Sequence, residues 1–258
     1  MINKKYLKLL RLKNKSANNQ FLYKIVSERI IDSLDLIKFD FKNILEIGIN
    51  EFKTHNYLKN KFPKSKLTKA DINNDNMLID NRFEFLDIDL YNLKLQSDCY
   101  DLIISNFFLH LTSNFEDSMQ SIHKALKSDG LFIAAIPDID NLYQLVNSMY
   151  KSDMLIYQGA YQRTNSTIEV DEIISTLKKL DFHIPTVNKD GFVIEYSTFG
   201  KLLNDIRSMG LSYSGNDKKQ NFENKQYFKI LENIYREEYY NGNYILDIKY
   251  NLISAWKK

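Results

Sequence analysis

The residues best suited to chemistry are acids that follow short apolar runs of the chain. Glu46 lies in the first run, Asp71 ends the second, 23 residues after Gly48, and Asp87 and Asp89 end the third. One carboxylate can accept both hydroxyls of a ribose, and another can accept an exocyclic amine. An acid alone at such a place is more often a solvated strand end or a helix cap. Four acids in register favour a nucleoside site.

The stretch NILEIGINEF, residues 43–52, reads as a buried strand that runs into a turn at Gly48. A turn that receives a nucleotide cofactor usually carries two or three glycines, because bare backbone can approach a ligand closely. This turn has one glycine. Two interpretations stay open: a cofactor site with unusual chemistry, and a fold whose site has decayed.

Asn106 and His110 follow a fourth apolar run. His110 could act as a base or orient a substrate, so we take it as the candidate catalytic residue. A histidine packed at the start of a helix is the commoner case, and that alternative stays open. We expect no metal site, because the single cysteine, Cys99, excludes a cysteine-rich centre.

Two further groups of side chains have both a functional and a structural interpretation. Tyrosines of the segment after the fifth run could line a substrate pocket or only pack the segment on the sheet (Tyr143, Tyr150, Tyr157, Tyr161). Basic residues near the N-terminus could meet an acidic partner or a membrane surface (Lys4, Lys5, Lys8, Arg11, Lys13, Lys15). A solvated helix face is the default expectation for the basic group.

The apolar runs predict strands at 43–48, 66–71, 83–89, 100–106 and 128–137, with helices between them. This alternation indicates an α/β fold with a parallel, doubly wound sheet. Beyond it we predict a strand at 191–197, a helix at 198–210 that Gly210 ends, and a final strand within 244–256.

The domain prediction is one domain spanning 1–258. It comprises N-terminal helices (1–40), a cofactor-binding core (41–138), cap segments (139–170 and 211–240) and the final strand (241–258). A hydrophobic content of 44% is enough for a sizeable core, and the formal charge of +2 gives no general attraction to nucleic acid. No apolar run approaches the roughly 20 residues that span a bilayer, and the first residues lack the apolar core of a signal peptide. We therefore expect a cytoplasmic protein without stable membrane insertion.

The motifs NILEIG, KADI, FLDIDLYNL and YDLIISNFFLHLTSNFEDSMQSIHKALKSDGLFIAAIP follow in order those of Rossmann-like S-adenosylmethionine-dependent methyltransferases. Within this class the chain most resembles the mitochondrial complex I assembly factor five family and its bacterial relatives. The malonyl-carrier-protein methyltransferases of biotin synthesis are more distant. The C-terminal segments EYSTFGKLLNDIRSMGLSYSGNDKK and IYREEYYNGNYILDIKYNLISAWK carry the closer resemblance. It implies a class I methyltransferase fold, whose mostly parallel sheet has seven strands and helical cap insertions.

The resemblance also implies a role for each candidate residue toward S-adenosyl-L-methionine. Asp71 looks like the ribose-binding acid, and Asp87 and Ile88 look like the adenine contacts. The remaining cofactor-binding candidates are Glu46, Gly48 and Asn50 at the amino-acid end, Ile72, and Ser105 and Asn106 beside the sulfur. Asn50 and Phe52 stand where the family continues its glycine motif. Asparagine tolerates unusual backbone angles, whereas Phe52 is harder to accommodate.

Three functions remain open at this point. The first is S-adenosylmethionine-dependent methyl transfer to a small-molecule or protein acceptor. The second, implied by the assembly-factor resemblance, is hydroxylation of an arginine on a respiratory complex I subunit. The third is a non-catalytic assembly factor that has lost cofactor binding.

Overall fold

The computed structural model describes residues 2–14, 21–48, 53–72, 83–219 and 223–258. Within these residues seven strands form one sheet in the order β3-β2-β1-β4-β5-β7-β6. Their bounds are β1 Asn43–Ile47, β2 Lys66–Asp71, β3 Phe83–Asp87, β4 Tyr100–Asn106, β5 Leu126–Pro137, β6 Phe182–Tyr196 and β7 Tyr244–Lys257. Strands β1 to β5 are parallel, and β7 runs antiparallel between β5 and β6. This confirms the predicted mostly parallel sheet of seven strands, in which the final strand lies beside the fifth.

Helices cover both faces of the sheet. They are α1 Lys4–Asn14, α2 Phe21–Asp35, α3 Lys53–Lys61, α4 Phe115–Ala125, α5 Tyr143–Tyr157, α6 Val170–Lys179, α7 Phe199–Ser208 and α8 Lys225–Tyr239. Side chains alternate between the two faces of a strand, so Ile44 and Leu45 of β1 belong to different apolar clusters. One cluster includes residues of α2, α3, α5, α7 and α8, and the other includes residues of α1, α4 and α6. The central strands contain runs of apolar residues because helices cover both faces of the sheet.

Side-chain caps start several helices as their sequences suggest. Asn114 accepts a hydrogen bond from the Asp117 amide at the start of α4, at 3.1 Å. Asn224 does the same for the Tyr227 amide at the start of α8, at 2.9 Å. These caps satisfy amides that have no partner within the helix. Gly210 follows α7 with φ +70°, the left-handed conformation expected of a helix-ending glycine.

Strand β6 is longer than predicted. It begins at Phe182, nine residues before the predicted start at 191, and continues to Tyr196. Pro185 argues against a strand in the first part of β6, because proline has no amide hydrogen to donate to a neighbouring strand. The strand tolerates it because β6 lies at the edge of the sheet and its register with β7 shifts between His183 and Thr186.

The two segments predicted to form a cap contact each other. Helices α5 and α8 are joined by a hydrogen bond from Asn147 Nδ2 to the Tyr239 hydroxyl, at 2.7 Å. Thr164 and Ser212 form an isolated β-bridge between the two segments. The division of the chain into core and cap stays a prediction.

Candidate functional site

The carboxyl ends of β3, β2, β1 and β4 lie side by side and bring most of the candidate residues to one edge. Asp71 is paired with Asp87 across β2 and β3, and Ile47 is paired with Ser105 across β1 and β4. The Gly48 amide donates to the Ala70 carbonyl at 2.8 Å, which holds the turn after β1 against the end of β2. Strand order reverses between β1 and β4, and ligands of doubly wound sheets bind at such a switch point.

Gly48 has φ +78° and lies directly against the ring of Phe108. A Cβ placed on Gly48 would overlap the Phe108 Cβ and come within 2.6 Å of its Cδ2. Both the backbone angle and the close ring therefore require glycine at this position. The Phe108 ring occupies the space beside the turn in which the sequence predicts a close backbone approach to a ligand.

Asp71 is fully buried and its carboxylate is bound by Arg11 of α1. Arg11 donates from Nε to Oδ1 at 3.1 Å and from Nη2 to Oδ2 at 2.6 Å, a bidentate pair. The Ile72 amide also donates to Asp71 Oδ1, at 2.7 Å. Arg11 is only 7% exposed, and its guanidinium carbon lies 5.1 Å from the centroid of the Phe108 ring. The solvated helix face expected for the basic N-terminus is therefore wrong for Arg11.

The other residues predicted on the adenosine side differ in exposure. Ile72 and Ile88 are buried in the same apolar cluster, which gives the site two aliphatic walls. The Ile88 amide donates to the Asp71 carbonyl at 3.1 Å, so the two isoleucines are held close in the backbone network. Asp87 is exposed at the end of β3, where its carboxylate is accessible to a ligand.

Glu46 is buried in β1, and its Oε2 lies 4.0 Å from Nζ of the buried Lys69 in β2. Asn106 is also buried, and its side-chain amide donates to the Tyr23 carbonyl at 3.1 Å and to Ser27 Oγ at 3.0 Å. Both partners belong to α2, so Asn106 joins the sheet edge to this helix. Glu46 and Asn106 therefore carry structural contacts whatever their role toward a ligand.

Ser105 and His110 each carry a buried polar atom without a hydrogen-bond partner among the described residues. These atoms are Ser105 Oγ and His110 Nδ1. His110 lies in a short 3-10 turn, Leu109–Leu111, and the residue as a whole keeps some exposure. Burial, helped by the charge of Arg11, lowers its pKa to about 3, so the imidazole is neutral at physiological pH. Unpaired buried polar atoms are uncommon and are frequently functional.

The backbone is strained between these two residues. Phe107, which follows β4, has φ +50°, a conformation that bulky side chains rarely adopt. Its amide donates to the Ala135 carbonyl at 2.9 Å, and its ring packs edge-on against Tyr23. As a result Phe107 and the next residue, Phe108, enter different apolar clusters. Strained residues of this kind cluster at functional sites.

The structure thus gathers Gly48, Asp71, Asp87, Ile72 and Ile88 around the ends of three neighbouring strands. The glycine, the acids and the aliphatic walls fit the adenosine part of S-adenosyl-L-methionine, on condition that Arg11 leaves the carboxylate of Asp71. Asn50 and Phe52 lie outside the described residues.

Sequence reasoning missed two residues of this site, Arg11 and Phe108. Their contacts join segments far apart in the chain, since Arg11 and Asp71 are separated by 60 residues. One signal was available, because Lys4, Leu7 and Arg11 share a helix face at spacings of three and four.

Two features are absent from the residues that the structure describes. None of the helices in that part of the chain has both the length and the apolar character needed to cross a bilayer. The same residues contain no group of three or more His, Cys, Asp or Glu side chains that could hold a metal ion.

Residues 62–191 match the family model described as the methyltransferase domain, which covers 130 of the 258 residues. The mitochondrial arginine-hydroxylase NDUFAF5 of Homo sapiens is 25% identical over 243 residues, covering 92% of this chain and 70% of the relative. The malonyl-acyl-carrier-protein O-methyltransferase of Acetivibrio thermocellus is 25% identical over 256 residues, covering 92% and 89%. Across the human, Dictyostelium and rodent NDUFAF5 relatives, the match spans 34–70% of the relative's own length.

Among solved structures, a Bacillus halodurans protein described as a candidate methyltransferase superposes with a TM-score of 0.59. It is 12% identical and covers 89% of this chain and 97% of its own. At that identity the likeness shows the fold alone. The solved structure confirms the expected fold. The family model confirms a methyltransferase domain, the enzyme class for which S-adenosyl-L-methionine is the expected cofactor. Because the family model matches half of the chain, the protein belongs to the methyltransferase-domain family.

Proposed function

We propose that the protein transfers a methyl group from S-adenosyl-L-methionine to an acceptor, a small molecule or a protein side chain. The observation that carries this proposal is the position of Asp71. It ends β2 beside the positive-φ Gly48, where a carboxylate of this fold can bind both hydroxyls of the ribose.

The remaining residues at the sheet edge receive roles in the same proposal. Asp87 accepts the exocyclic amine of adenine, and Ile72 and Ile88 pack on the ring. Gly48 and Glu46 are assigned to the amino-acid end of the cofactor, as is Asn50, which lies outside the described residues. Ser105 and Asn106 lie toward the sulfur, where the unpaired Ser105 Oγ has a hydrogen bond to offer.

Methyl transfer asks little of the protein besides alignment. When bound, S-adenosyl-L-methionine would supply an electrophilic methyl group, and its sulfur would keep the electron pair of the broken carbon–sulfur bond. The chain must hold the acceptor in line with that bond, and a proton lost by the acceptor must go to a base or to water. His110 is neutral and can take a hydrogen bond from the acceptor, but its lowered pKa makes it a weak base. An acceptor that carries no proton at the reacting atom, or a strongly acidified one, suits this site best.

A second candidate is a non-catalytic assembly factor that keeps the fold without the cofactor. The observation in its favour is the Arg11–Asp71 pair, which already uses both oxygens of the ribose-binding acid. Arginine hydroxylation is a third candidate, drawn from the NDUFAF5 relatives, for which a respiratory complex I subunit would be the protein substrate. The cytoplasmic setting expected from the composition is likewise part of the proposal.

Calorimetric titration with S-adenosylhomocysteine tests the cofactor site. We expect the wild type to bind, Asp71→Ala and Asp71→Asn to lose measurable binding, and Asn50→Gly to bind more tightly. The control is Asp32→Ala, which removes an exposed carboxylate of α2 and should leave the affinity unchanged. Circular dichroism verifies that each variant is folded. Absence of binding at millimolar ligand in both the wild type and Asn50→Gly would refute the enzyme and leave the assembly factor.

A further inference from the structure

Helix α1 lies across the mouth of the candidate cofactor site. Its inward face carries Lys4, Leu7 and Arg11, and each reaches a different part of the sheet edge. Arg11 binds Asp71 at the end of β2, and Leu7 is buried in the cluster that contains Ile72 and Ile88. Lys4 pairs with Asp89 in the loop after β3. Three contacts on one face of a helix thus close the side of the site where adenosine would bind.

Residues before and within α1 also contact the segment 212–218. Asn3 donates its amide to the Ser214 carbonyl at 2.6 Å, and Ile2 forms a β-bridge with Gly215. Lys218 Nζ donates to the Tyr6 hydroxyl at 2.6 Å. The same helix is therefore tied to the segment 212–218 and to the strand ends, and bridges the two.

Most of the contacts described for α1 are polar. Leu7 is its one buried apolar side chain among those the structure describes, whereas Lys5, Lys8 and Leu9 face solvent. An 11-residue helix is marginal on its own in water, so its position depends on these contacts. Elements held in this way open more readily than the core.

Arg11 and a ribose require the same acceptor atoms. The bidentate guanidinium occupies Oδ1 and Oδ2 of Asp71, and a vicinal diol bound by this acid needs those oxygens. The Phe108 ring contacts both the Arg11 guanidinium and Gly48, so a docked α1 also lies close to the end of β1. Adenosine and the docked helix α1 therefore compete for the carboxylate of Asp71.

We propose that α1 is a gate built into the chain, with Arg11 as an internal competitor of the cofactor ribose for Asp71. The inference rests on the proposed function, because it assumes an adenosine-containing ligand. When the ligand binds, Asp71 exchanges two guanidinium N–H donors for two hydroxyls, and Arg11 moves into solvent. The apparent affinity is then the intrinsic affinity multiplied by the fraction of molecules in which α1 is open.

The test is calorimetric titration with S-adenosylhomocysteine, combined with hydrogen exchange of α1 amides with and without this ligand. Arg11→Met removes the competing charge while keeping much of the side-chain length. Leu7→Ala loosens the docked helix without touching Asp71, so it answers the question if Arg11→Met does not fold. Lys8→Met and Leu9→Ala are the matched controls, since they make similar changes on the exposed face of α1.

We expect Arg11→Met and Leu7→Ala to bind S-adenosylhomocysteine at least tenfold more tightly than wild type, with both controls unchanged. The ligand should also speed exchange in α1 of the wild type. Equal or weaker binding by both variants, with slower exchange in α1, overturns the gate and makes the helix part of the binding surface. The proposed function survives that outcome. If neither wild type nor any variant binds, the gate and the proposed function fall together.

Discussion

Asp71 shows, at the scale of a single residue, how a buried carboxylate can have its charge compensated and still be able to bind a ligand. Its oxygens face the Arg11 guanidinium and the Ile72 amide, so no lone charge is buried. Deleting one partner of such a pair typically costs about 3–5 kcal/mol, because the other is left uncompensated. A ligand that offers two hydroxyls replaces the partner instead of deleting it, and avoids most of that penalty.

The close approach of Phe108 to Gly48 predicts a sharp difference between two glycines. We expect Gly48→Ala to lower the free energy of unfolding by about 2 kcal/mol or more, because Ala is strained at φ +78° and its methyl overlaps the ring. Gly200→Ala is the control. It adds a methyl in α7 with no atom within 4 Å and should stabilise by up to about 0.5 kcal/mol. Urea unfolding measures both, and similar losses in the two variants would contradict the close packing at Gly48.

His110 predicts a pH dependence of stability. Burial lowers its folded-state pKa to about 3, whereas an unfolded histidine titrates near pH 6.5. Between these values the unfolded chain binds the extra proton, so the free energy of unfolding falls as the pH is lowered from 6.5. The slope from this group is at most about 1.4 kcal/mol per pH unit. Urea midpoints of wild type and His110→Gln at pH 5 and 7 measure it. The variant should lose part of the pH dependence, and His183→Gln, at an exposed site, should keep it.

At the scale of elements, a buried ion pair joins α5 to the polar segment that follows it. Asp153 of α5 is fully buried, and Arg163 donates to it from Nε at 3.0 Å and from Nη2. Arg163 Nη1 also lies 2.7 Å from Glu223 Oε1, near the start of α8. One guanidinium therefore ties together three segments of the region predicted to form the cap.

This network predicts that replacing Arg163 and replacing Lys151 of α5 lower the free energy of unfolding by different amounts. Arg163→Met should lower the free energy of unfolding by about 3–5 kcal/mol, because Asp153 stays buried without its charged partner. Lys151→Met breaks a pair with Glu238 whose side chains are both well exposed, and should cost less than about 1 kcal/mol. Chemical denaturation of both variants gives the comparison. Equal costs would mean that Asp153 finds water or another donor once Arg163 is gone.

The success of sequence reasoning also differs by element. The predicted bounds of β1, β2 and β4 agree with the structure almost to the residue. β1 and β4 are mostly apolar because both of their faces are covered, and β2 ends at the acid that the sequence marks as a strand end. The first half of β6 was missed, since an exposed edge strand has no such run and contains Pro185. The strand-end residues of the site followed from the same logic. Arg11 did not, because a charged residue on a polar helix reveals nothing local about a buried partner 60 residues away.

On the scale of the whole molecule, one continuous sheet separates two apolar clusters. Unfolding of the sheet therefore exposes both clusters together. Strand β7 is central to this continuity, since it pairs with β5 along seven residues and with β6 along most of its length. It also carries the single tryptophan, Trp256, which is paired with Leu131 and with His183. The fluorescence of Trp256 therefore reports on the junction of the parallel and antiparallel parts of the sheet.

From this arrangement we expect one cooperative unfolding transition, as predicted for a single domain. Tryptophan fluorescence and far-ultraviolet circular dichroism should change at the same urea concentration. A fluorescence transition well separated from the loss of helix would instead show that the β6–β7 region unfolds independently, and would divide the chain into two units.

The turn after β4 has a mechanical consequence for the molecule. Phe107 and Phe108 share a peptide bond, yet one ring lies among Tyr23, Tyr250 and the helices of one layer while the other lies against Gly48 in the opposite layer. The two rings are joined by a backbone that is held at a left-handed φ of +50° at Phe107. We expect a ligand that displaces the Phe108 ring to disturb the packing of Tyr23 and Tyr250 on the other face, whose ring centroids lie 6.2 and 5.9 Å from that of Phe107.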